Sequence, residues 1–211
     1  MNTSDSRVIE EARRDNHETV KSYEGCAEDY ADTTRSEPTG IRAEMFQAFI
    51  ESLVSGARVL EIGSGPGWDA DRLEAKGIRV ERTDVTQSFI DFQSKRGKRV
   101  TRLDVINDAI EEQYDGILCL YVLQHVARPL IDDVLAKFSR ALHLHGTVLI
   151  GLREGTGDVR EVGTSTGVYH ISLWPQREFI DRLARAGLVA EQSHTFSGSD
   201  GEWLIVLARK R

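Results

Sequence analysis

From Arg58 onward, short apolar runs alternate with amphipathic stretches of helical period. Arg58–Ile62, Ile78–Thr83, Arg99–Leu103, Tyr114–Leu120 and Thr147–Leu152 read as strands. Pro66–Lys76, Ser88–Lys95, Pro129–Leu142 and Gln176–Ala186 read as helices, two of them closed by Gly77 and Gly187 as left-handed caps. In the third, Leu130, Val134, Leu135, Phe138 and Leu142 share one stripe. Leu188–Phe196 and Trp203–Ala208 predict an antiparallel hairpin around the turn Ser197–Gly201.

The remaining pattern is weaker. Residues 1–16 are polar apart from Val8 and Ile9, which predicts a frayed start or a short surface helix. Helical spacing runs from His17 to Asp32, breaks at Pro38 and Gly40, and resumes over Ile41–Val54. Arg153–Leu173 has little periodicity. The first, fourth and fifth strands are apolar on both faces, as a sheet covered by helices requires. The expectation is a doubly wound, Rossmann-like α/β fold with a parallel central sheet and a terminal antiparallel hairpin.

Composition changes this picture little. The chain has 211 residues, 40% hydrophobic and 29% charged, with a formal charge of −7. That balance suits a globular protein and argues against nucleic acid or a membrane surface as partner. No apolar run reaches membrane-spanning length and no signal-peptide pattern opens the sequence, so a cytoplasmic location is expected. Cys26 and Cys119 have no metal-ligand spacing, Cys119 reading as a reduced core residue, and His143 and His145 have no third ligand in view. No metal is expected.

Candidate chemistry begins where the first strand meets a glycine-rich turn, Val59-Leu60-Glu61-Ile62-Gly63-Ser64-Gly65-Pro66-Gly67. Glycines 63, 65 and 67 lack the Cβ atoms that would hold a ligand off the backbone, and a helix opening at Pro66 would aim its free N–H groups at that ligand. Dinucleotides and S-adenosylmethionine both fit such a turn. A dinucleotide fingerprint needs a third glycine where this chain has Trp68. The carboxyl of Glu61 inside the strand opposes a pyrophosphate and suits a cationic ligand.

With Thr83-Asp84-Val85-Thr86, Leu103-Asp104-Val105 and Tyr121-Val122-Leu123-Gln124-His125-Val126 at successive strand ends, the chain resembles the compact class I S-adenosylmethionine-dependent methyltransferases from about Tyr23 to Lys210. The resemblance implies seven strands in the order 3-2-1-4-5-7-6, the seventh antiparallel. It implies one domain over 1–211, comprising N-terminal helices (1–55) that close as a lid, a cofactor-binding half (56–152) and a substrate side (153–211). It also implies that Gly63, Ser64, Gly65 and Gly67 approach the methionine part of the cofactor, with Glu61 and Trp68 nearby. Asp84, with Val85 beside it, takes the ribose hydroxyls, and Asp104 and Val105 take the adenine. Tyr121 and His125 face the reactive end. Tyr23 and Tyr30 belong either to the lid or to its core. His125 is either a general base or a hydrogen-bonded structural residue.

The sequence departs from the family's usual Lys-Pro-Gly-Gly before strand 5, reading His143-Leu144-His145-Gly146. It lacks the Asn/Asp-Pro-Pro-Tyr motif of enzymes acting on nucleobase amines. Arg153, Tyr169 and His170 are the expected acceptor contacts. The function expected is methyl transfer to an O, N or C nucleophile of a small molecule or peptide by a monomer or homodimer. The alternatives are a silent S-adenosylmethionine-binding protein and a nicotinamide-dependent oxidoreductase.

Overall fold

Residues of β1 (Arg58–Ile62) alternate between two cores, Val59 facing one and Leu60 and Ile62 the other. The structure is a computed structural model describing residues 3–162 and 167–211, with side chains from Ser6 onward. Residues 1–2 of the polar start and 163–166 of the stretch after the fifth strand lie outside the described residues. β4 (Tyr114–Leu120) and β5 (Leu142–Arg153) alternate in the same way. Each face is therefore covered. α3 (Ile41–Ser52) and α4 (Trp68–Ala75) bury Met45, Phe46, Phe49 and Leu73 on one side. On the other, α6 (Ile131–Ala141) and α7 (Gln176–Arg185) bury Val134, Leu135, Phe138, Phe179 and Leu183. Fully burying each such side chain contributes roughly 1.5–3 kcal/mol, so the two layers fix the sheet firmly. Cys119 is a free, fully buried thiol in the second core, where burial pushes its pKa up.

β2 (Arg79–Asp84), β3 (Val100–Arg102), β8 (Leu188–Gly198) and β9 (Gly201–Lys210) complete a seven-stranded sheet in the order β3-β2-β1-β4-β5-β9-β8. The first five strands of that order are parallel, and β9 runs antiparallel to both neighbours. This is the expected doubly wound order, with β8 and β9 in the places of strands 6 and 7. The order reverses between β1 and β4, and α/β sheets of this type bind ligands at the carboxyl ends of strands at such a point.

Four expectations need correction. The stretch after β5 contains a second hairpin, β6 (Gly157–Val162) paired with β7 (Val168–Leu173) as a separate sheet. The glycine turn extends further than expected, so α4 begins at Trp68; Gly67 takes φ +86°, outside helical geometry, and Pro66 stays in the turn. The N-terminal region forms α1 (Thr3–Glu24) and α2 (Ala27–Thr33), broken at Gly25-Cys26 where a single helix was expected from His17. The β8–β9 turn tightens to Ser199-Asp200, with Gly198 opposite Gly201. In addition, β5 starts at Leu142, and a register shift absorbs the unusual His143–Gly146 segment, with His145 at φ +67°.

α1 is held to β7 and to the start of the helix after β2 by long-range hydrogen bonds. Ser22 Oγ donates to the Val168 carbonyl and accepts from the Val168 N–H, both at 2.8 Å, and Thr19 Oγ1 accepts from the His170 N–H at 3.0 Å. On its other side, the Glu24 carboxylate accepts from the N–H groups of Gln87 and Ser88 at 2.7 and 2.8 Å, at the start of α5 (Gln87–Lys95).

Candidate functional site

The turn after β1 is built from the residues that sequence singled out. Gly63 and Gly65 have φ +65° and +54°, a region costly for residues with a Cβ. A Cβ on Gly63 would overlap Val122, whereas one on Gly65 would meet no protein atom within 4 Å. The loop after β4 therefore packs on Gly63, and open space lies over Gly65. Gly67 serves packing of another kind: a Cβ there would overlap Gln93 and the buried Arg82.

Asp84 ends β2 and fixes this turn to the next. Its carboxylate accepts from the Gly65 N–H at 2.7 Å and the Thr86 N–H at 2.8 Å. Only 5% exposed, its carboxyl is pushed above the usual range by burial, which those N–H bonds partly offset. Glu61 is buried beneath the turn, hydrogen-bonded to Ser64 Oγ, and burial pushes its carboxyl up to about 8. The Ser64 hydroxyl donates to this carboxyl, which ties Glu61 to the turn above it. Gln93 braces the same turn, donating to Ser64 Oγ at 3.0 Å and the Gly65 carbonyl at 2.8 Å.

A cavity of about 110 Å³ lies at the ends of β1, β2 and β4. Tyr23, Tyr30, Gly63, Gly65, Asp84, Val85, Asp104, Val105, Tyr121 and His125 all line it, as does Phe89. Asp104 also forms the turn after β3, accepting from the Ile106 N–H at 2.9 Å and Asn107 Nδ2 at 2.7 Å. A second cavity, of about 250 Å³, flanks the other side of the glycine turn; Ser64, Trp68, Arg42 and Asp69 line it, and it shares Tyr30, Gly63, Gly65 and Tyr121 with the first. The Trp68 indole donates to the Ala31 carbonyl at 3.2 Å and lies beneath the Arg96 guanidinium, 4.2 Å from the ring centre. Glu61 and Gly67 line neither cavity.

Tyr121 takes φ +63°, rare for a bulky residue and a form of strain that clusters at functional sites. Its ring stands edge-on to Trp203 at 5.0 Å. His125 follows in a short helical turn. Its Nδ1 lies 3.0 Å from the His170 carbonyl, which can only accept, so Nδ1 carries the hydrogen. The Nε2 lone pair then faces the Tyr23 hydroxyl at 3.0 Å, and Tyr23 donates. Burial pushes the His125 pKa down to about 4 and that of Tyr23 well up, so both are neutral near pH 7.

A third cavity, of about 720 Å³, continues from Tyr23, Tyr30, Tyr121 and His125. Of the three expected acceptor contacts, Arg153 and Tyr169 line it. The Arg153 guanidinium is held by Glu161 at 3.1 Å and stacks over Trp203. The structure does not bring the His170 side chain there; it points to α1 and lies 2.6 Å from Glu18. Arg42, Gln124, Phe196, Asp200 and Trp203 also line the cavity. Only their convergence in the fold reveals them, since they come from separate segments of the chain. Among the described residues no three His, Cys, Asp or Glu side chains are grouped to hold a metal, and no helix is long and apolar enough to cross a membrane.

Comparisons with known proteins agree with this fold. Residues 60–148 match the family profile described as a methyltransferase domain. The ubiquinone biosynthesis O-methyltransferase of Xylella fastidiosa is 32% identical over 84 residues, spanning 36% of this chain and 34% of that protein. The chain thus matches about a third of the length of the curated relative. Among solved structures, the 1,6-didemethyltoxoflavin-N1-methyltransferase of Burkholderia thailandensis, bound to 1,6-didemethyltoxoflavin and S-adenosylhomocysteine, superposes with a TM-score of 0.69 at 21% identity, covering 92% of this chain and 86% of that one. The cyclase SpnF superposes with a TM-score of 0.64 at 17% identity, covering 82% and 84%. The chain has the fold of the class I S-adenosylmethionine-dependent methyltransferases, and the resemblance read from the sequence is borne out.

Proposed function

We propose that this protein transfers a methyl group from S-adenosylmethionine to a nucleophile on a small molecule. The observation that carries the reading is the buried Asp84 carboxylate, fixed at the end of β2 by the Gly65 and Thr86 N–H groups beside open space over Gly65. A carboxylate keeps spare lone pairs on both oxygens after accepting one bond each, which suits a vicinal diol such as ribose. In this reading Gly63, Ser64 and Gly65 approach the methionine part, Asp104 and Val105 the adenine, and Tyr23, Tyr30 and Tyr121 the reactive end. Glu61, Gly67 and Trp68 hold the turn in shape. Arg153 and Tyr169 line the acceptor side. The small-molecule acceptor is supported by the ligand named for the Burkholderia structure and by this chain's negative charge.

The cofactor supplies a methyl carbon already activated by its sulfonium. What remains for the protein is alignment and exclusion of water. Tyr23 is placed to align: its hydrogen is committed to His125, so its oxygen presents lone pairs to an acceptor O–H or N–H. An acceptor held there would turn its own lone pair toward the cofactor side. His125 then acts as a positioning residue rather than a direct base, because Nε2 is occupied and burial disfavours its charged form.

Calorimetry with S-adenosylhomocysteine and NAD tests the cofactor assignment; binding of NAD alone would overturn it. Trp68 already opposes a dinucleotide, since it fills the place of the third glycine and packs against Arg96. Transfer of labelled methyl from cofactor to candidate acceptors tests the activity. Tight cofactor binding with no labelled product would favour a silent binding protein.

A further inference from the structure

The three cavities share two residues. Among the described residues only Tyr30 and Tyr121 line the cofactor-side cavity, the cavity beyond the glycine turn and the 720 Å³ cavity alike. Tyr30 is carried by α2, which the Trp68 indole ties to the glycine turn by donating to the Ala31 carbonyl at 3.2 Å. Its ring packs edge-on against Tyr23 at 5.6 Å and Phe89 at 5.5 Å. The two shared hydroxyls differ. Burial pushes the pKa of Tyr121 up, and a hydrogen bond from Arg42 partly offsets that push. The Tyr30 hydroxyl has no hydrogen-bond partner among the described residues. It is also not one of the polar atoms sealed from solvent, so its oxygen keeps accessible surface.

We propose that Tyr30 recognises the sulfonium of the cofactor, its hydroxyl oxygen facing the positive charge where the three cavities meet. This rests on the methyltransferase reading given above. The sulfonium of S-adenosylmethionine joins three arms: the adenosyl group, the methionine chain and the methyl to be transferred. In that reading the first cavity takes the adenosyl arm beside Asp84, the second takes the methionine chain along Gly63, Ser64 and Gly65, and the third receives the methyl. The atom common to the three arms then belongs at the place common to the three cavities. A phenol suits its charge, because the oxygen lone pairs and the ring face are both electron-rich. The surroundings agree in sign. Burial, the Tyr121 hydroxyl, Asp69 and Asp84 push the Tyr30 pKa well up, which keeps the phenol neutral beside two acidic groups. The arginines of the cavities are engaged elsewhere, Arg42 with the Tyr121 hydroxyl and Arg153 with Glu161 at 3.1 Å. Departure of the methyl leaves a neutral thioether, so the same contact favours loaded cofactor over spent cofactor.

The test is calorimetry of the full chain without acceptor. The probes are S-adenosylmethionine, S-adenosylhomocysteine and sinefungin, in which a carbon bearing an ammonium replaces the sulfonium. The wild type should bind both cationic ligands more tightly than S-adenosylhomocysteine by roughly tenfold, the scale of a contact to a charged group. Tyr30→Phe keeps the ring and removes only the oxygen. It should narrow that preference to within about threefold and hold S-adenosylhomocysteine affinity within about twofold of wild type. Tyr30→Leu serves if the phenylalanine variant does not fold. Absence of a preference in the wild type, or its full persistence in the folded variant, would overturn the proposal. So would an equal loss for all three ligands, which is the mark of a merely structural tyrosine. Failure of the wild type to bind any of the three would refute the methyltransferase reading instead.

Discussion

The Tyr23 hydroxyl donates to His125 Nε2 across 3.0 Å, joining α1 to the loop after β4 at the meeting point of two cavities. The His170 carbonyl fixes the imidazole from behind, so the pair has one arrangement of hydrogens. Tyr23→Phe removes the oxygen and little else. If that oxygen orients the acceptor, kcat should fall by about ten- to a hundredfold, with S-adenosylhomocysteine affinity within about threefold of wild type. Steady-state kinetics and calorimetry read the two effects separately. An unchanged kcat would remove Tyr23 from the mechanism.

His125 also predicts a pH dependence of stability. Its folded pKa of about 4 lies below the ordinary 6.5. Between those values the unfolded chain takes up a proton that the folded one refuses. The contribution is therefore fully present above 6.5 and is lost as pH falls through 4. Denaturant unfolding at pH 7 and pH 4.5 should show the wild type losing more stability than His125→Gln, by on the order of 2 kcal/mol. Equal losses would contradict the neutral, enclosed imidazole.

Glu61 has the opposite sign. Its folded pKa of about 8 lies above the ordinary 4.5, so its contribution is fully present below 4.5 and is lost as pH rises through 8. Gln mimics the protonated carboxyl. Glu61→Gln should match wild type near pH 5 and exceed it in stability at pH 9, measured by the same unfolding titrations. A variant less stable than wild type at pH 9 would show that the buried carboxyl ionises at little cost.

Much of the fold was legible in the chain, and the exceptions have a common cause. The strands and helices of the central sheet each bury a face, so their period is written in apolar residues. β6 buries almost nothing: Val162 is 76% exposed and Val159 37%, and the strand is held by pairing with β7 and by the ion pairs of Arg160 with Glu18 and of Glu161 with Arg153. α1 is similarly polar and depends on Thr19, Ser22 and Glu24 bonding to partners far along the chain. Without a buried stripe there is no pattern to find. The same reasoning separates the two halves of the site. The proposed cofactor side is a cavity at successive strand ends, and Gly63, Asp84 and His125, singled out in the sequence, all line it. The acceptor side assembles Arg42, Gln124, Arg153, Tyr169 and Trp203 from distant segments, and His170 contributes its carbonyl rather than its ring.

Asp84 tests the cofactor half. Asp84→Asn keeps the side-chain volume but replaces one acceptor oxygen with a donor, which opposes the N–H of Gly65 or Thr86. Cofactor affinity should fall by roughly 1–3 kcal/mol, the scale of hydrogen bonds to a charged group. The glycine turn should loosen as well, seen as faster hydrogen exchange at Gly65. Calorimetry giving wild-type affinity for S-adenosylhomocysteine would exclude Asp84 from binding.

Glu24 tests whether α1 is a lid. α5 begins after Thr86, whose side chain makes no capping bond, and the Glu24 carboxylate instead accepts from the first two N–H groups of the helix. The charge also sits at the positive end of the helix dipole. Glu24→Ala removes a cap delivered from a different helix, at a cost of roughly 1 kcal/mol. Because Glu24 is exposed and belongs to a helix with few buried residues, that loss should fall on the docking of α1 rather than on the sheet. Hydrogen exchange should quicken across α1 and at the start of α5, leaving β1, β4 and β5 unchanged. Tyr23, carried one residue before Glu24, lines the cofactor-side cavity, so the dissociation of S-adenosylhomocysteine should accelerate by about fivefold in stopped-flow measurements, in step with α1 opening. Faster exchange in α1 with unaltered dissociation would mean that the helix covers the cavity without controlling passage into it.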